Sequence, residues 1–448
     1  MADDIPEEQR ALVLQGGGAL GAYEAGVLKA LYEKISENDK KEGREGRPLF
    51  DIVAGTSIGA INSAILVSNV KNQKNWKESI IKLENFWKHV SSDPELTYLW
   101  LASWYAWRKF YPKSPSREEA RRYYATMEFL YNGTPKVFSP PHVKMDDIFL
   151  DANNTWYQYD NLPLVESLKM FAEFPISTSF EENQPRLILC SVDVQESQVV
   201  TFDSYSTESK YGHDNNITIK YPDGIKAEHV MASASVPVNF DYTKIKSENS
   251  DGETSSDMRY FWDGGIMSNT PLRELIVRHR SYWVAKIGAK NLDKTLWKID
   301  EADTIKIPDL KVYIIDIWPK KEKKIPLDHD RASDRLNDLT YQDKTHFDEK
   351  VAHRVTDYID LTKKLIKLAK EKKASKEELE TLLKETTETT QFAKEKKAYG
   401  DLLKDRFRIN VERIERKDDP DAISRKWMDF TSDTISGLID QGYNDVKT

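Results

Sequence analysis

The hydrophobic residues of this chain occur in short apolar runs that predict buried strands. Such runs occupy residues 11–15, 50–54, 186–194, 198–202 and 312–317. The run at 11–15 is mostly consecutive apolar residues and ends in glycines, which favours a buried parallel strand. Residues 408–414 instead alternate apolar and polar positions, as a half-exposed strand does.

Apolar residues three or four positions apart predict helices between the strands. We expect helices over 22–35, 76–89, 162–171 and 431–446, and another that begins after residue 57 and continues through Leu66. Polar stretches at 38–47, 205–223 and 247–257 predict loops. Strands that alternate with helices are typical of an α/β protein.

Residues 343–397 are highly charged and follow a helical pattern. The apolar positions that fall on one face are Val351, Val355, Tyr358, Ile359, Thr362, Leu365 and Ile366. Residues 374–378 have the composition of a turn and a helix cap, so the segment is predicted to be a helical hairpin with a solvated outer face. The alternative is that its lysines contact an anionic surface, and the pattern favours the solvated face.

Composition narrows the class of protein without deciding its function. Hydrophobic residues make up 39% of the 448 residues, enough for a sizeable core, and the formal net charge is −8. An acidic chain is not expected to be a general nucleic-acid binder, so we expect no nucleic-acid partner. The one cysteine, Cys190, cannot form an internal disulfide or a cysteine zinc site, and it fits a core position in a reducing compartment.

The N-terminus lacks the basic start and the apolar centre of a secretory signal. No stretch approaches the ~18 apolar residues of a membrane span. We therefore expect a cytoplasmic protein that is either soluble or in peripheral contact with a membrane. No oligomeric state follows from the sequence.

A glycine-rich turn follows the first predicted strand. Gly16, Gly18 and Gly21 match the Gly-x-Gly-x-x-Gly fingerprint of dinucleotide-binding turns, which also needs an acidic residue that closes a second strand about 20 residues on. Glu37 and Asp39 have roughly that spacing but lie in polar sequence. The alternative is an oxyanion hole, because consecutive glycines expose backbone N–H groups to an anion at a helix start.

Residues 55–59 form Gly-x-Ser-x-Gly between a predicted strand and a predicted helix. A turn of this kind strains its serine and presents the hydroxyl near a helix N-terminus, where a nucleophile is favoured. Ser57 is therefore a candidate nucleophile. The alternative is that Ser57 is an ordinary N-cap at a strand-to-helix turn.

A nucleophilic serine needs a base, and the sequence offers two kinds of candidate. The downstream histidines, none of which lies in a recognisable loop motif, are His279, His329, His346 and His353. Asp263 ends a short aromatic run and precedes two glycines, which can hold a carboxylate at a strand end facing a cavity. Burial there would raise the pKa of Asp263 toward that of a useful base. Taken alone, Asp-Gly-Gly is more typical of a plain turn.

Together these stretches resemble the patatin-like phospholipase family. The similar blocks are residues 16–28, 55–60 and 263–265, with two further blocks at 232–237 and 268–271. Their order and separation fit the family, and the resemblance covers roughly residues 10–275. Residues after 320 are similar to the C-terminal extension of some bacterial patatin-like proteins, which is a looser match.

The resemblance implies a three-layer α/β fold with a mostly parallel central sheet and a serine–aspartate dyad without histidine. Ser57 is then the nucleophile, Asp263 the base, and the backbone of Gly16, Gly17 and Gly18 the oxyanion hole. No cofactor and no metal are implied. Many relatives have a basic residue where this chain has Leu20, so no phosphate-binding role is assigned there.

The function implied is a serine acyl hydrolase acting on a lipid or other ester substrate. Two alternatives stay open: a patatin-like scaffold that binds a partner through the hairpin, and a nucleotide-binding protein that uses the turn at 16–21. By the same resemblance we expect a catalytic domain over residues 1–320 and a helical C-terminal extension over residues 321–448.

Eleven aromatic residues are crowded into residues 97–131, with arginines and lysines among them. Tryptophan and tyrosine favour the membrane interface. One interpretation is that residues 97–141 form a mobile cap over Ser57, which meets aggregated lipid through Trp100, Trp104 and Trp107 on one helix face. The other is that these rings pack as core under a lid.

Overall fold

The computed structural model shows helices and strands along most of the chain. It describes residues 5–73, 75–93, 97–110, 116–140, 157–211, 217–249, 257–288, 291, 306–322, 324–385, 398–403, 406–417 and 419–447. The strands in these ranges are β1 (Glu8–Leu14), β2 (Ile52–Thr56), β3 (Arg186–Asp193), β4 (Gln198–Asp203), β5 (Glu208–Tyr211), β6 (Ile217–Lys220), β7 (Thr243–Lys246), β8 (Glu248–Asn249), β9 (Met258–Asp263), β10 (Asp309–Asp316) and β11 (Ile409–Glu415).

The α-helices of the same ranges include all those predicted from the sequence. They are α1 (Ala22–Lys41), α2 (Ile58–Gln73), α3 (Trp76–Val90), α4 (Thr97–Phe110), α5 (Arg117–Asn132), α6 (Leu162–Phe171), α7 (Ala227–Ala234), α8 (Leu272–Ile287), α9 (His329–Tyr341), α10 (His346–Glu371), α11 (Lys376–Lys384) and α12 (Ser432–Lys447). Short 3-10 helices lie at Gly18–Gly21, Gly264–Ile266, Tyr399–Leu403 and Lys426–Met428.

The strands form two sheets. The larger has the order β11-β10-β1-β2-β3-β9-β7, with β4 also paired to β3, and the smaller has the order β5-β6-β8. β2 runs parallel to β3, and every residue of these two strands is buried, as their apolar runs predict. The prediction of a mixed α/β protein with a mostly parallel central sheet and a helical C-terminal part is confirmed.

Contacts divide the chain into two compact units. The first comprises Met1–Ala11, Leu272–Val312 and Lys344–Glu412, and the second comprises Leu12–Pro271, Tyr313–Asp343 and Arg413–Thr448. The second unit contains the large core built around α1, α2, β2 and β3. These units group residues by contact and not by function, so the division into domains at residue 320 stays a prediction.

Local signals account for several helix ends. Asn75 caps α3, since its side chain accepts hydrogen bonds from the backbone N–H groups of Lys77 and Glu78. Pro163 lies in the first turn of α6, where its missing N–H costs nothing, and the predicted helix at 162–171 is observed with those bounds.

Two predicted loops are wrong, and the third, 247–257, contains the two-residue strand β8. Helix α1 continues to Lys41, because residues 38–41 contain no glycine or proline. The first glycine with a left-handed conformation after the start of α1 is Gly43. The polar stretch 205–223 contains β5 and β6. These strands have few apolar residues, and their buried residues Ser209 and Ile219 lie between polar neighbours. Their polar composition is typical of a loop, so the sequence did not predict them.

The apolar face predicted for the hairpin is only partly buried. Ile359 and Ile366 of α10 pack with Leu383 and Leu403 in a small cluster. The remaining large members of the predicted face are exposed, namely Val351, Val355, Tyr358 and Leu365. The exposed surface of α10 therefore contains large apolar side chains beside its charged ones, which the sequence did not predict. Residues 386–397 of the predicted hairpin lie outside the described part of the chain.

Candidate active site

Ser57 lies at the turn between β2 and α2 in a backbone conformation that side chains rarely adopt. Its φ is 57°, in the left-handed region where a residue other than glycine is strained. A Cβ atom at Gly55 would collide with the Gly59 carbonyl, and one at Gly59 would lie 2.5 Å from the Leu14 carbonyl oxygen. The turn therefore has room only for glycine at both positions. The Ser57 backbone N–H donates to Ser233 Oγ at 3.0 Å, which anchors the turn.

The strand register explains why Ser57 and Asp263 meet. Thr56, the last residue of β2, pairs with Cys190, and Asp263, the last residue of β9, pairs with Ser191. Both strands therefore end beside consecutive residues of β3. The Ser57 hydroxyl lies close enough to the Asp263 carboxylate to lower its pKa, so the structure brings these two sequence-predicted side chains together.

Asp263 is only 5% exposed. The Gly265 backbone N–H donates a hydrogen bond to its Oδ1 at 2.7 Å, and the Ser57 hydroxyl lies beside the carboxylate. Burial raises the pKa of Asp263 to about 6, an effect that these two neighbours reduce. A carboxylate with this pKa is largely ionised at neutral pH and accepts a proton more readily than a solvated one, which suits a general base.

The glycine-rich turn packs directly against the serine turn. A Cβ atom at Gly16 would lie 2.8 Å from Ser57 Cβ, so a larger residue would not fit there. Gly18 has a φ of 55°, and a Cβ atom there would collide with the Trp427 carbonyl. The backbone of the turn is thus enclosed on both sides by close neighbours.

Side chains also fix the orientation of this turn. The Gly16 carbonyl accepts hydrogen bonds from Trp318 Nε1 at 2.7 Å and from Asn269 Nδ2 at 3.2 Å. Because the peptide group is planar, these bonds also fix the direction of the Gly17 N–H. No residue in the described ranges accepts a hydrogen bond from the backbone N–H of Gly17 or Gly18, and an anion-binding turn requires such N–H groups.

A cavity of about 290 Å³ joins these groups, and all five sequence-predicted site residues, Gly16, Gly17, Gly18, Ser57 and Asp263, line it. Its wall also includes residues that the sequence analysis missed: Trp318, Asn337, Tyr341 and Trp427. The one available signal was that Trp318 follows the end of a predicted buried strand. The other three carry no motif and reach the cavity through tertiary packing.

Glu24 forms a closed polar network in the same unit. Its Oε1 accepts the Gln15 backbone N–H at 2.8 Å, and its Oε2 accepts Asn62 Nδ2 at 2.8 Å. Asn62 Oδ1 in turn accepts Trp87 Nε1 at 3.2 Å. Burial raises the pKa of Glu24 to about 8, against the effect of its two hydrogen bonds. Glu24 does not line the cavity.

The rival site residues lie elsewhere. Among the described residues that line the cavity there is no histidine. His279 is buried, with its Nε2 at 2.9 Å from the Pro308 carbonyl oxygen. Glu37 and Asp39 lie in the last turns of α1 and not at a strand end, so they do not complete a dinucleotide fingerprint.

The aromatic segment packs at least partly as core. Trp104 is buried and clusters with Ala120 and Tyr124, while Tyr105 is 59% exposed. The side chains of Trp100 and Trp107 lie outside the described part of the structure. No described side chain of residues 97–140 lines the cavity, so the cap over Ser57 stays a prediction.

No group of three or more His, Cys, Asp or Glu side chains placed to hold a metal occurs within the described residues. Of the described helices, none is both long and apolar enough to cross a membrane. Cys190 is buried, in agreement with its predicted core position.

Comparison with known proteins identifies the family. Residues 12–276 match the model of the patatin-like phospholipase family. A comparison with curated protein sequences found no match. Among solved structures, VipD from Legionella pneumophila is 12% identical, with a TM-score of 0.28 over 99% of this chain and 66% of that one. The type III effector protein ExoU is 19% identical, with a TM-score of 0.19 over 52% of this chain and 40% of that one.

The chain spans less than two thirds of the length of either solved structure. The family match, in contrast, covers more than half of this chain and includes the glycine-rich turn, the serine turn and Asp263. The protein therefore belongs to the patatin-like phospholipase family.

Proposed function

We propose that the protein is a serine acyl hydrolase that cleaves lipid carboxylic esters through an acyl-enzyme on Ser57. Members of the family are generally lipid acyl hydrolases, which supports the class of reaction. The observation that carries the proposal is the strained Ser57, whose hydroxyl lies beside the buried Asp263 carboxylate, with both residues lining one cavity.

In the first half-reaction, the Ser57 hydroxyl oxygen attacks the ester carbonyl carbon while Asp263 takes the hydroxyl proton. The carbonyl oxygen becomes negative, and the backbone N–H groups of Gly16, Gly17 and Gly18 stabilise it. When the tetrahedral intermediate collapses, the bond to the leaving alcohol breaks. Asp263 gives its proton to that alcohol, and the acyl group stays on Ser57.

In the second half-reaction, a water molecule attacks the acyl-enzyme while Asp263 takes one of its protons. The same N–H groups stabilise the second oxyanion. The bond to Ser57 then breaks, and Asp263 returns its proton to the serine oxygen. The products are a carboxylic acid and the original enzyme, so atoms and protons balance.

We assign both half-reactions to the predicted catalytic domain, residues 1–320. The predicted extension, residues 321–448, supplies none of the reacting groups in this scheme. It contributes Asn337, Tyr341 and Trp427 to the cavity wall.

A fluorescent organophosphonate tests the proposal. We expect it to label the wild-type protein, with peptide mapping to Ser57, and we expect Ser57→Ala to abolish labelling and ester hydrolysis. Ser68→Ala is the matched control, since Ser68 is a buried serine of α2 whose hydroxyl donates to the Glu173 carbonyl at 3.1 Å. It should keep both signals. A folded wild-type protein that takes no label would favour the scaffold alternative, and label on another residue would refute the role of Ser57.

A further inference from the structure

Helix α10 exposes a row of large apolar side chains that is interrupted by Arg354. The seven, which we call the apolar stripe, are 37–68% exposed and are Phe347, Val351, Val355, Tyr358, Leu361, Leu365 and Leu368. A monomer normally exposes such residues singly, and a contiguous apolar surface with polar borders marks an interaction site.

The apolar stripe runs along one side of the helix. Successive members are three or four residues apart, which places them on one face. From Phe347 to Leu368 the stripe is about 30 Å long at the α-helical rise. Ile359 and Ile366, on another side of α10, already pack with Leu383 and Leu403. The stripe is therefore not the face through which α10 is held in its own unit.

Positively charged residues lie at the edge of the stripe and within it. At about 100° per residue, Lys350 and Lys364 lie at one edge and Arg354 lies within the stripe, while Lys367 lies on the opposite side of the helix. The exposed basic residues of α10 and of the two positions after it are Lys350, Arg354, Lys364, Lys367, Lys372 and Lys373. The exposed acidic residues of the helix are only Asp357 and Glu371. This excess of positive charge contrasts with the formal net charge of −8 of the whole chain. The surface thus combines apolar contact area with a local charge opposite to that of the protein.

We propose that the apolar stripe and its basic border form a docking surface for an anionic lipid bilayer. An amphipathic helix with these features lies in the plane of the membrane, with its apolar side chains among the acyl chains. Lysine and arginine at the border can bury their methylene groups and extend their charges to lipid phosphates. A second copy that docked through the same stripe would bring two basic borders together, so an anionic headgroup is favoured over a symmetric contact between copies.

The proposal is independent of the chemistry at Ser57, because binding needs no turnover. A Ser57→Ala protein should bind vesicles as the wild type does. Normal vesicle binding by Ser57→Ala would support the docking surface even though hydrolysis is lost. Normal hydrolysis of a soluble ester by a wild-type protein that binds no vesicles would refute the docking surface and leave the proposed hydrolase intact.

Vesicle flotation with the full chain tests the surface. We expect binding to vesicles of phosphatidylcholine with 30% phosphatidylglycerol, and at least tenfold weaker binding to phosphatidylcholine alone or in 0.5 M NaCl, because exposed charges are screened. Leu361→Ser/Leu365→Ser should weaken binding at least tenfold. The charge reversal Lys350→Glu/Arg354→Glu/Lys364→Glu should abolish the preference for anionic vesicles.

Matched variants on other elements test whether a loss of vesicle binding is specific to the apolar stripe and its basic residues. Ile325→Ser/Leu327→Ser removes two apolar residues that are 82% and 95% exposed, and it should leave binding unchanged. Lys40→Glu/Lys77→Glu/Lys169→Glu reverses three exposed charges on α1, α3 and α6 and should leave the preference for anionic vesicles intact. Circular dichroism confirms that each variant is folded.

Three outcomes would overturn the proposal. The first is a wild-type protein that binds no vesicles, and the second is a stripe variant that binds as strongly as its control. The third is a wild-type dimer that the stripe variant converts to a monomer in light scattering, with vesicle binding unchanged. That result would make the stripe a contact between copies of the chain.

Discussion

Several buried carboxylates of the molecule have a raised pKa, and two of them, Glu24 and Asp263, differ in what surrounds them. Around Glu24, both oxygens accept hydrogen bonds from Gln15 and Asn62, and the network is closed. Around Asp263, one neighbour is the Ser57 hydroxyl, and the carboxylate lines a cavity. Burial and a raised pKa therefore do not identify a base. A candidate base is recognised by a reactive partner and by access to substrate.

The largest difference is expected between the two amide substitutions. Asp263→Asn keeps an oxygen for the Gly265 N–H but removes the proton acceptor, so kcat should fall about 10³-fold with little loss of stability. Glu24→Gln should keep kcat and lose about 1–3 kcal/mol of stability, because its new NH₂ group faces a donor. Ester kinetics and urea denaturation of both variants check this. Near-normal kcat for Asp263→Asn would assign the base elsewhere.

The Ser57–Asp263 region could be predicted from the sequence because its residues lie in short motifs. Gly-x-Ser-x-Gly needs its glycines for backbone space, and Asp-Gly-Gly closes a strand. Each motif alone is ambiguous, and it is their combination, which resembles one family, that marks both positions. The Glu24 region could not be predicted in this way. Its partners are ordinary residues of separate elements, and only the tertiary structure brings Asn62 and Trp87 together.

The apolar face of α10 was predicted incorrectly for the same reason, because the sequence does not show which tertiary contacts form. Periodic apolar residues predicted one packed face, which is correct for Ile359 and Ile366. Periodicity reports a helix and its apolar side but not whether the remaining structure covers that side. Tyr358 and Leu365 satisfy the pattern equally well and are exposed.

Lys426 is a buried cation and, unlike Glu24 and Asp263, it is paired with groups of opposite charge. Lys426 is 4% exposed, and its Nζ lies 2.5 Å from Asp338 Oδ1 and 2.9 Å from Asp334 Oδ1. Lys426→Met should lower the free energy of unfolding by about 3–5 kcal/mol, because two buried carboxylates lose their partner.

Urea denaturation measures the effect of Lys426→Met. Lys447→Met, which removes an exposed ion pair with Glu33, is the control and should leave the midpoint nearly unchanged. Equal midpoints for the two variants would show that the Lys426 pairs contribute no more than a surface pair.

Two tryptophans allow the same chemical change in each region. Trp318→Phe removes the hydrogen bond to the Gly16 carbonyl, so the oxyanion turn should lose its fixed orientation and kcat should fall about tenfold at an unchanged KM. Trp87→Phe removes the hydrogen bond to Asn62 in the Glu24 region and should reduce stability without reducing kcat. A fall in kcat for Trp87→Phe as large as that for Trp318→Phe would remove the distinction between the regions.

The smallest expected effect is a difference in pH dependence between the two carboxylates. As the proposed base, Asp263 would act in its ionised form, so kcat/KM should fall tenfold per unit as pH drops below about 6, the raised pKa of its buried carboxyl group. Glu24 should instead affect stability. Its pKa is raised from 4.5 to about 8, so the native state holds a proton that the unfolded state releases between these values. Its contribution to stability is therefore fully present below pH 4.5 and is lost as pH rises toward 8.

Asp263 contributes a stability change of the same sign between pH 3.8 and about 6, so wild-type denaturation alone does not isolate Glu24. The difference in stability between wild type and Glu24→Gln does isolate it, because Gln does not titrate and Asp263 is present in both. That difference should shrink steadily from pH 4.5 to 8 while kcat/KM of the two proteins keeps the same pH profile. Urea denaturation and ester kinetics across this range measure both. A constant difference in stability would mean that Glu24 is ionised in the native state throughout, and that hydrogen bonds from Gln15 and Asn62 outweigh its burial.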